Sequence, residues 1–304
     1  MADKRNKFIC FGAVHFDHIL QLKSKYYNNR TNPIYYREQL GGVAYNISSK
    51  LAYLKVKNEL ISLNIRNIKK NKIFKSKIKF TAINNRYFDR SYTSILNSKG
   101  KMILGLANMN NYEKNFSLKK IRNYKNTKII LDLNFSKKNI NSIITKYFPH
   151  NQIYVCGTSA HKVYKIKHLL SKINFLFLNQ KEANKLSNKK NIYSSMKYLI
   201  KKNKNLTIVI SNGKNKAIAY NNRILYYSKP PKISTVNENG AGDVMSATII
   251  YLLNKNLNFE ESFVRGLIAG SLKASGFKSN INIFLKKINQ FIKKVKVTSK
   301  KYNG

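Results

Sequence analysis

The chain has 304 residues, 43% of them hydrophobic, so it can bury a large core as one large domain or two smaller ones, and it is not disordered. Its 58 basic and 12 acidic residues give a formal net charge of +46, but the lysines are spread through every segment instead of forming one arginine-rich stripe, which argues against a specific nucleic-acid partner. No apolar run approaches the roughly 18 residues of a membrane span, and the apolar stretch 8–14 is too short for a signal peptide, so we expect no membrane contact and a cytoplasmic location.

Short β-rich runs alternate with helical stretches, a pattern that predicts a parallel sheet wrapped by helices. The predicted strands are 8–14, 128–133, 152–156, 175–178, 206–211 and 217–220. The predicted helices are 44–54, 159–170, 181–186, 194–202, 242–254 and 259–275. Cys10 and Cys156 fall inside predicted strands without the spacing of a metal knuckle, so we expect buried thiols. The basic runs 66–79 and 286–301 are interpreted as solvated faces.

The first candidate site follows the first predicted strand. His15 and Asp17 lie where a strand of an open α/β sheet ends at the ligand crevice, and a carboxylate there can accept hydrogen bonds from two adjacent sugar hydroxyls. Gly41 and Gly42 open a helix, where they permit close backbone approach, and Asn46 one turn later can offer its amide to a hydroxyl. The alternatives are a structural histidine and a glycine turn with an incidental asparagine.

A β hairpin is predicted in the region 80–106, where Thr81 to Ile83 and the run 91–96 lead through the turn 97–100 into the run 101–106. Such a flap inserted in a parallel-sheet domain suits a lid, which excludes water from a transferable phosphate. We therefore expect one domain spanning 1–304, with lid elements at about 18–40 and 80–106 inserted in it. An exposed lid edge would favour a homodimer.

Another candidate site begins at the end of the predicted strand 175–178. Asn179 and Glu182 are spaced to place both side chains at the mouth of the sheet, where oxygen ligands could hold the waters of a Mg²⁺ ion. The alternative is a capping box, in which Asn179 caps a helix and Glu182 answers it. Farther along, Ser211 and Gly213 form a strand end and a glycine turn that suit the floor of a nucleotide site.

The most informative stretch is 236–243, which runs straight into a small and apolar helix. Gly240 and Gly242 let a turn press against a ligand, and the helix N-terminus offers unpaired N–H groups and a positive dipole end, which together predict an anion hole. Asp243 would then stand beside a bound phosphate, a costly position unless it takes a proton from an attacking hydroxyl. The alternative is a glycine turn with an acidic helix start.

These motifs, and their order along the chain, resemble the ribokinase-like, or PfkB, family of carbohydrate and nucleoside kinases. The resemblance spans about residues 8 to 285. Gly41-Gly42 with Asn46 looks like the family's first signature, 179–182 like its Asn-x-x-Glu motif, and 239–243 like its C-terminal anion-hole signature. The local sequences of 41–47, 92–96, 106–109 and 236–237 look most like those of pseudouridine kinases. The resemblance implies an α/β fold, the ribokinase-like three-layer sandwich with a central mostly parallel sheet and a small β-sheet lid.

The resemblance also implies a reaction, the transfer of the ATP γ-phosphate to the 5′-hydroxyl of pseudouridine. Asp243 would be the base, and the N–H groups of the segment Asn239, Gly240, Ala241 and Gly242 would stabilise the moving phosphoryl group. Asp17, Gly42 and Asn46 would hold the ribose. Alternative acceptors are ribose, fructose or adenosine, and two further alternatives are a homologue that binds its ligand without chemistry and a polyanion-binding protein.

For the phosphate donor, the resemblance implies that Asn179 and Glu182 organise Mg²⁺ through water and that Ser211 and Gly213 line the nucleotide site together with Asn239. Some family members also use a monovalent cation such as K⁺ near the C-terminal signature. This chain departs from the family there, because Asn237 and Glu238 stand where Asp and Thr are common.

Overall fold

A computed structural model describes residues 8–65, 78–84 and 90–303, and all structural statements concern these residues. The strands are β1 (Phe8–Phe11), β2 (His15–Leu22), β3 (Ile34–Gly41), β4 (Asn58–Ser62), β5 (Ile78–Ala82), β6 (Ser91–Leu96), β7 (Met102–Asn108), β8 (Lys128–Asp132), β9 (Gln152–Cys156), β10 (Phe175–Asn179), β11 (Thr207–Ser211), β12 (Ala217–Asn221), β13 (Ile224–Ser228) and β14 (Val297–Lys301). The α-helices are α1 (Val43–Tyr53), α2 (Lys137–Tyr147), α3 (Gln180–Ser187), α4 (Ile192–Lys202), α5 (Ala241–Asn254), α6 (Phe259–Ala274) and α7 (Ile281–Ile292).

The large sheet has the strand order β14-β13-β12-β11-β10-β9-β8-β1-β4-β5. From β5 to β11 every neighbouring pair is parallel, and β12, β13 and β14 continue the sheet as antiparallel strands. The predicted mostly parallel sheet is therefore confirmed. Because parallel strands end on the same side, the carboxyl ends of the central strands form one rim, where ligands bind in open α/β sheets.

Two helical layers cover the sheet because successive strand side chains point to opposite faces. On β1, Phe8 and Cys10 belong to the core formed with α1, α5 and α6, while Ile9 and Phe11 belong to the core formed with α2, α3 and α4. The helix α7 packs outside α6 through Phe284. The predicted three-layer sandwich is confirmed, and both cysteines are free and buried as expected.

The second sheet is small and has the order β3-β2-β6-β7. Its strands β6 and β7 form the hairpin predicted around the turn 97–100, where the Gly100 N–H donates to the Asn97 carbonyl at 2.9 Å. Its strand β7 is exposed along its whole length. Thr81 was expected in this hairpin but lies in β5, which pairs with β4 at the edge of the large sheet.

The predicted helix 159–170 is wrong. The structure has only short 3₁₀ turns at Val163–Ile166 and Leu170–Lys172. The Lys165 side chain is buried, and its ammonium donates to the Glu113 carboxylate at 2.7 Å and to the Phe135 carbonyl at 2.8 Å. These long-range contacts fix the segment against the sheet, and tertiary context outweighs the helical periodicity of the sequence.

Both basic runs include residues of regular secondary structure. The run 286–301 is not only a solvated face, because it contains most of α7 and all of β14, whose pairing with β13 extends the large sheet. The Phe284 and Ile288 side chains are buried, so α7 contributes one apolar stripe to the core. Most of the other run, residues 66–77, lies outside the described residues, and its last two residues begin β5.

A buried carboxylate connects the strand β1 to the helix α1. Asp132, at the end of β8, has no solvent exposure, and its carboxylate accepts hydrogen bonds from the Ala13 N–H at 2.9 Å and the Ala44 N–H at 3.1 Å. The Asn134 backbone and side-chain amides donate to it at 2.9 and 3.0 Å. Gly12 makes room for this carboxylate, because a Cβ there would overlap it. Asp132 therefore fixes where α1 begins relative to the sheet.

We predict that Asp132→Ala lowers the free energy of unfolding by about 2–5 kcal/mol, because the three buried backbone N–H groups of Ala13, Ala44 and Asn134 lose their acceptor. Urea denaturation of both proteins measures this difference. The control is Glu260→Ala in the first turn of α6, with an expected change of about 0.5 kcal/mol or less. Equal stability of the Asp132 and Glu260 variants would contradict the structural role of Asp132.

Candidate active site

The predicted site residues gather along the rim of the large sheet. Asp17 lies on β2 just after the end of β1, Asn46 is in the first turn of α1, and Asp243 is in the first turn of α5. Asn179 ends β10 and is paired in register with Ser211, which ends β11. Segments more than 200 residues apart in sequence therefore border one cleft.

Asp243 and Asn46 are in direct contact. The Asn46 amide donates a hydrogen bond to the Asp243 carboxylate at 2.7 Å, which joins the first turns of α1 and α5. Gly240 caps α5 in a left-handed conformation with φ 73°, which glycine adopts at little cost. A Cβ atom built on Gly240 would lie 3.6 Å from both the Asn46 amide nitrogen and the Lys273 Cε atom. The Lys273 side chain therefore also approaches the N-terminus of α5.

The environment of Asp243 favours its protonated form. Burial raises the pKa of Asp243 to about 7, and the negative charges of Asp132 and Asp17 act in the same direction. The hydrogen bond from Asn46 and the positive charge of Lys273 lower the pKa and partly oppose this effect. A carboxyl group with a pKa near neutrality can accept a proton and release it again at physiological pH.

The turn before α5 provides an incomplete set of backbone donors. The Asn239 N–H donates to the Asn237 side chain at 2.9 Å, and the Ala241 N–H donates to the Glu238 carbonyl at 3.1 Å. Among the described residues, the N–H groups of Gly240 and Gly242 have no such acceptor. Free N–H groups at a helix N-terminus form an anion-binding site. Two of the four predicted donors are thus available and two are engaged within the turn.

The paired glycines bring β1, β2 and α1 close together. A Cβ on Gly41 would overlap the Asp17 carboxylate, and a Cβ on Gly42, whose φ is 108°, would overlap the Ala13 carbonyl. The His15 side chain is buried, and its Nδ1 atom lies 2.9 Å from the Asp17 carboxylate. His15 therefore contacts Asp17, although these two atoms do not meet hydrogen-bond geometry.

Asn179 and Glu182 form the capping box that was the alternative interpretation of this motif. The Asn179 side chain accepts from the Glu182 N–H at 2.9 Å, and the Glu182 carboxylate accepts from the Asn179 N–H at 2.8 Å. Glu182 is also buried against Gly157, where a Cβ would overlap its carboxylate. Burial raises the pKa of Glu182 to about 7, and the Asp243 charge contributes to this rise.

A magnesium ion held through water is compatible with these donors. One Glu182 oxygen accepts from the backbone, which leaves the second oxygen for a water ligand, and Asn179 is exposed at the rim beside Ser211. Mg²⁺ keeps several waters and needs only one or two carboxylates besides substrate phosphates. Within the described residues no group of three His, Cys, Asp or Glu side chains forms a protein-only metal cage. Gly213, in the turn after β11, has φ 55° and open space around its Cβ position.

Sequence reasoning missed Asp132 and Lys273. Asp132 is the last but one residue of the predicted strand 128–133 and the last residue of β8, so its position on the rim could have been found from the sequence pattern. Its partners Ala13 and Ala44 are backbone amides, 119 and 88 residues away, which no side-chain motif reveals. Lys273 lies in the last turn of α6, and no local signal distinguishes it from the many other lysines of this chain.

The cleft combines the half-buried carboxyl group of Asp243, a helix N-terminus with free donors, the carboxylate of Asp17 and a capping box beside the rim of β10 and β11. A phosphorylated donor can place its terminal phosphate at the N-terminus of α5, and a hydroxyl between Asp17 and Asp243 can lose its proton to Asp243. The described residues include no helix long and apolar enough to span a bilayer.

Comparison with known proteins is consistent with this arrangement. The model for pfkB family carbohydrate kinases matches residues 5–283, and no curated protein matches the sequence. A carbohydrate kinase from Agrobacterium tumefaciens has a similar structure, with a TM-score of 0.79 and 20% identity over 97% of this chain and 100% of that one. A Methanocaldococcus jannaschii nucleoside kinase of the ribokinase family has a TM-score of 0.72 and 17% identity, with 93% and 98% covered. Phosphofructokinase-2 from Escherichia coli has a TM-score of 0.76 and 16% identity, with 95% and 99% covered.

We predict that the Asp243 carboxyl group titrates near pH 7 and that Asn46→Ala raises its pKa further, because the amide hydrogen bond stabilises the ionised form. Carbon-13 NMR of labelled aspartate carboxyl groups measures both values. As a control, Asn205→Ala changes an exposed turn and leaves this titration in place. An ordinary aspartate pKa of about 4, or no response to Asn46→Ala, would contradict the assigned environment.

Proposed function

The chain belongs to the pfkB family of carbohydrate kinases. We propose that it transfers the γ-phosphate of ATP to the 5′-hydroxyl of pseudouridine. Family membership makes it a phosphotransferase that acts on a hydroxyl group of a sugar or nucleoside. The proposed phosphoryl transfer rests on the position of Asp243. This residue lies at the N-terminus of α5, has a raised pKa and accepts a hydrogen bond from Asn46.

Asp243 is the base in this proposal. With a pKa near 7, its ionised fraction increases as the pH rises through neutrality, so the rate should increase over the same range and then level off. The free N–H groups of Gly240 and Gly242 face the same space and would stabilise charge on the phosphoryl group. Ala241 and Asn239 could contribute their N–H groups only if the turn released its internal hydrogen bonds.

The nucleotide side is assigned to the rim of β10 and β11. Asn179 and Glu182 would hold Mg²⁺ through water, and Ser211 and Gly213 would line the nucleotide site. When bound, Mg²⁺ neutralises charge on the donor phosphates. The buried Glu182 side chain is fixed by the hydrogen bond that one of its oxygens accepts from the Asn179 backbone N–H.

A monovalent cation is left out of the proposal. Near the C-terminal signature the Ala274 carbonyl accepts the N–H groups of Val236 and Asn237, both at 2.9 Å, and the Asn237 side chain accepts from Asn239. Lys273 adds a positive charge beside Gly240. The Ala274 carbonyl and the Asn237 side-chain oxygen already accept hydrogen bonds, and the positive charge of Lys273 disfavours a bound cation beside Gly240.

The acceptor side is assigned to Asp17, Gly41, Gly42, Asn46 and His15. A ribose could donate two hydroxyl hydrogen bonds to the Asp17 carboxylate, while the glycines leave room for the ring. Pseudouridine as the acceptor is supported by the resemblance of 41–47, 92–96 and 106–109 to pseudouridine kinases. Another sugar or nucleoside is the second candidate, supported by structural neighbours named as carbohydrate kinase, nucleoside kinase and phosphofructokinase.

The small sheet is assigned the role of a lid over the acceptor, because β2 and β3 carry Asp17 and Gly41.

The edge strand β7 of the small sheet exposes Met102, Ile103, Leu104 and Leu106, which supports a homodimer formed by pairing of two small sheets. Light scattering tests this assignment, and the mass of a single chain at micromolar concentration would contradict it. The cytoplasmic location stays a prediction.

We predict that Asp243→Asn lowers the turnover of pseudouridine by at least about a hundredfold, because the amide cannot accept the hydroxyl proton. Steady-state release of ADP from Mg-ATP measures the rate. Asp17→Asn is the matched variant on the acceptor wall, where the larger effect should fall on KM for the acceptor.

Nucleotide binding separates loss of chemistry from loss of structure. Asp243→Asn should bind a non-hydrolysable ATP analogue as tightly as the wild type, because its N–H groups and the rim of β10 and β11 are unchanged. Retained turnover in Asp243→Asn would overturn its role as the base. Saturable nucleoside binding by the wild type without ADP formation would instead identify a homologue that has lost its chemistry.

A further inference from the structure

A small pocket outside the proposed acceptor and nucleotide sites lies between α1, the start of α5 and the connection from α6 to α7. We call it the two-lysine pocket, after Lys50 and Lys273. Its volume is about 200 Å³. Its walls include Lys50, Tyr53, Lys273, Phe277, Lys278 and Phe284. None of the residues assigned above to the acceptor, the nucleotide or Mg²⁺ lines it.

Aromatic rings hold Lys50 in a defined position. Its ammonium nitrogen lies 3.3 Å from the centre of the Phe284 ring and 4.0 Å from that of Tyr53. The two rings pack edge to face with their centres 5.6 Å apart, and the Tyr53 hydroxyl donates to the Ser279 carbonyl at 3.0 Å. The cation–π contacts therefore hold the Lys50 ammonium group at the pocket wall, and the hydrogen bond holds the Tyr53 ring that it contacts.

The lining of the pocket contains three lysines and no acidic residue. Outside the lining, the Asp243 carboxylate interacts electrostatically with Lys273. Among the described residues, no Asp or Glu side chain forms an ion pair with Lys50, Lys273 or Lys278. Burial, and next the positive charge of Lys273, lower the pKa of Lys50 to about 7. The half-buried Lys50 and the exposed Lys273 are close enough to repel each other, and a bound anion would relieve this repulsion.

We propose that the two-lysine pocket binds a small oxyanion of the phosphate class. A dianion matches the two ammonium groups of Lys50 and Lys273, and lysines bind phosphate as point charges. The pocket is small for a whole nucleotide, because pockets for ligands of that size typically enclose about 300–1,000 Å³. Lys278 adds a third positive charge at the exposed side.

The pocket adjoins the phosphoryl site through Lys273. The same side chain lines the pocket and approaches the Cβ position of Gly240 at 3.6 Å, and Val244, the residue after Asp243, forms part of the pocket wall. A terminal phosphate of a bound nucleotide could compete for Lys273. The experiment must therefore distinguish a free oxyanion in a separate pocket from the phosphate of the donor.

Inorganic phosphate is the probe, and its binding to the full chain is measured by calorimetry without nucleotide at about 0.15 M salt, which screens the exposed charges. We expect one site, weakened about tenfold or more in Lys50→Met and in Lys273→Met, because each variant loses a charge-assisted contact. Lys50→Arg should retain binding. Lys197→Met, an exposed lysine of α4, is the control for the general positive charge of the chain and should bind phosphate like the wild type.

Three results would overturn the proposal: unchanged binding in both methionine variants, equal weakening in Lys197→Met, or displacement of phosphate by a saturating non-hydrolysable ATP analogue. Lys273 is exposed, so its variant reports on binding even if Lys50→Met folds poorly. No turnover is measured, so an inactive protein would contradict the proposed function and leave this result intact.

Discussion

The buried carboxylate of Asp132 is the constraint on which the cleft depends. It accepts from Ala13 at the end of the first strand and from Ala44 at the start of α1, so it sets the distance between the central sheet and that helix. Leaving either buried donor without an acceptor would be costly. Since α1 begins where Asp132 holds it, Asn46 lies within hydrogen-bond distance of Asp243, and the two helix N-termini meet over the rim of the sheet.

The electrostatics of this cleft differ from those of the chain as a whole. The formal net charge is +46, yet Asp17, Asp132, Glu182 and Asp243, four of the 12 acidic residues, border one cleft. Their mutual repulsion adds to burial and raises the pKa of both Asp243 and Glu182 to about 7. A strongly positive surface attracts phosphorylated ligands, while the carboxylates inside remain suited to proton transfer and metal binding.

Patterns of side chains predicted much of this architecture, and contacts made by the backbone explain most of what they missed. Apolar runs with turn residues between them identified the central strands, and glycines before helices identified the segments that meet at Asp243. The strands β2 and β3 were not identified, because their side chains are largely half-buried or exposed and show no regular alternation. Asp132 was missed because it acts on main-chain amides, and the segment 159–170 was misassigned because buried Lys165 fixes it through distant contacts.

The most direct measurement is ADP release from Mg-ATP by the purified protein with pseudouridine, uridine, adenosine, ribose and fructose as separate acceptors. The proposed function predicts that kcat/KM is highest for pseudouridine. A higher value for another acceptor would retain the phosphoryl transfer and contradict the substrate. No turnover with any of the five would contradict the assignment of this cleft to the phosphorylation of a common sugar or nucleoside.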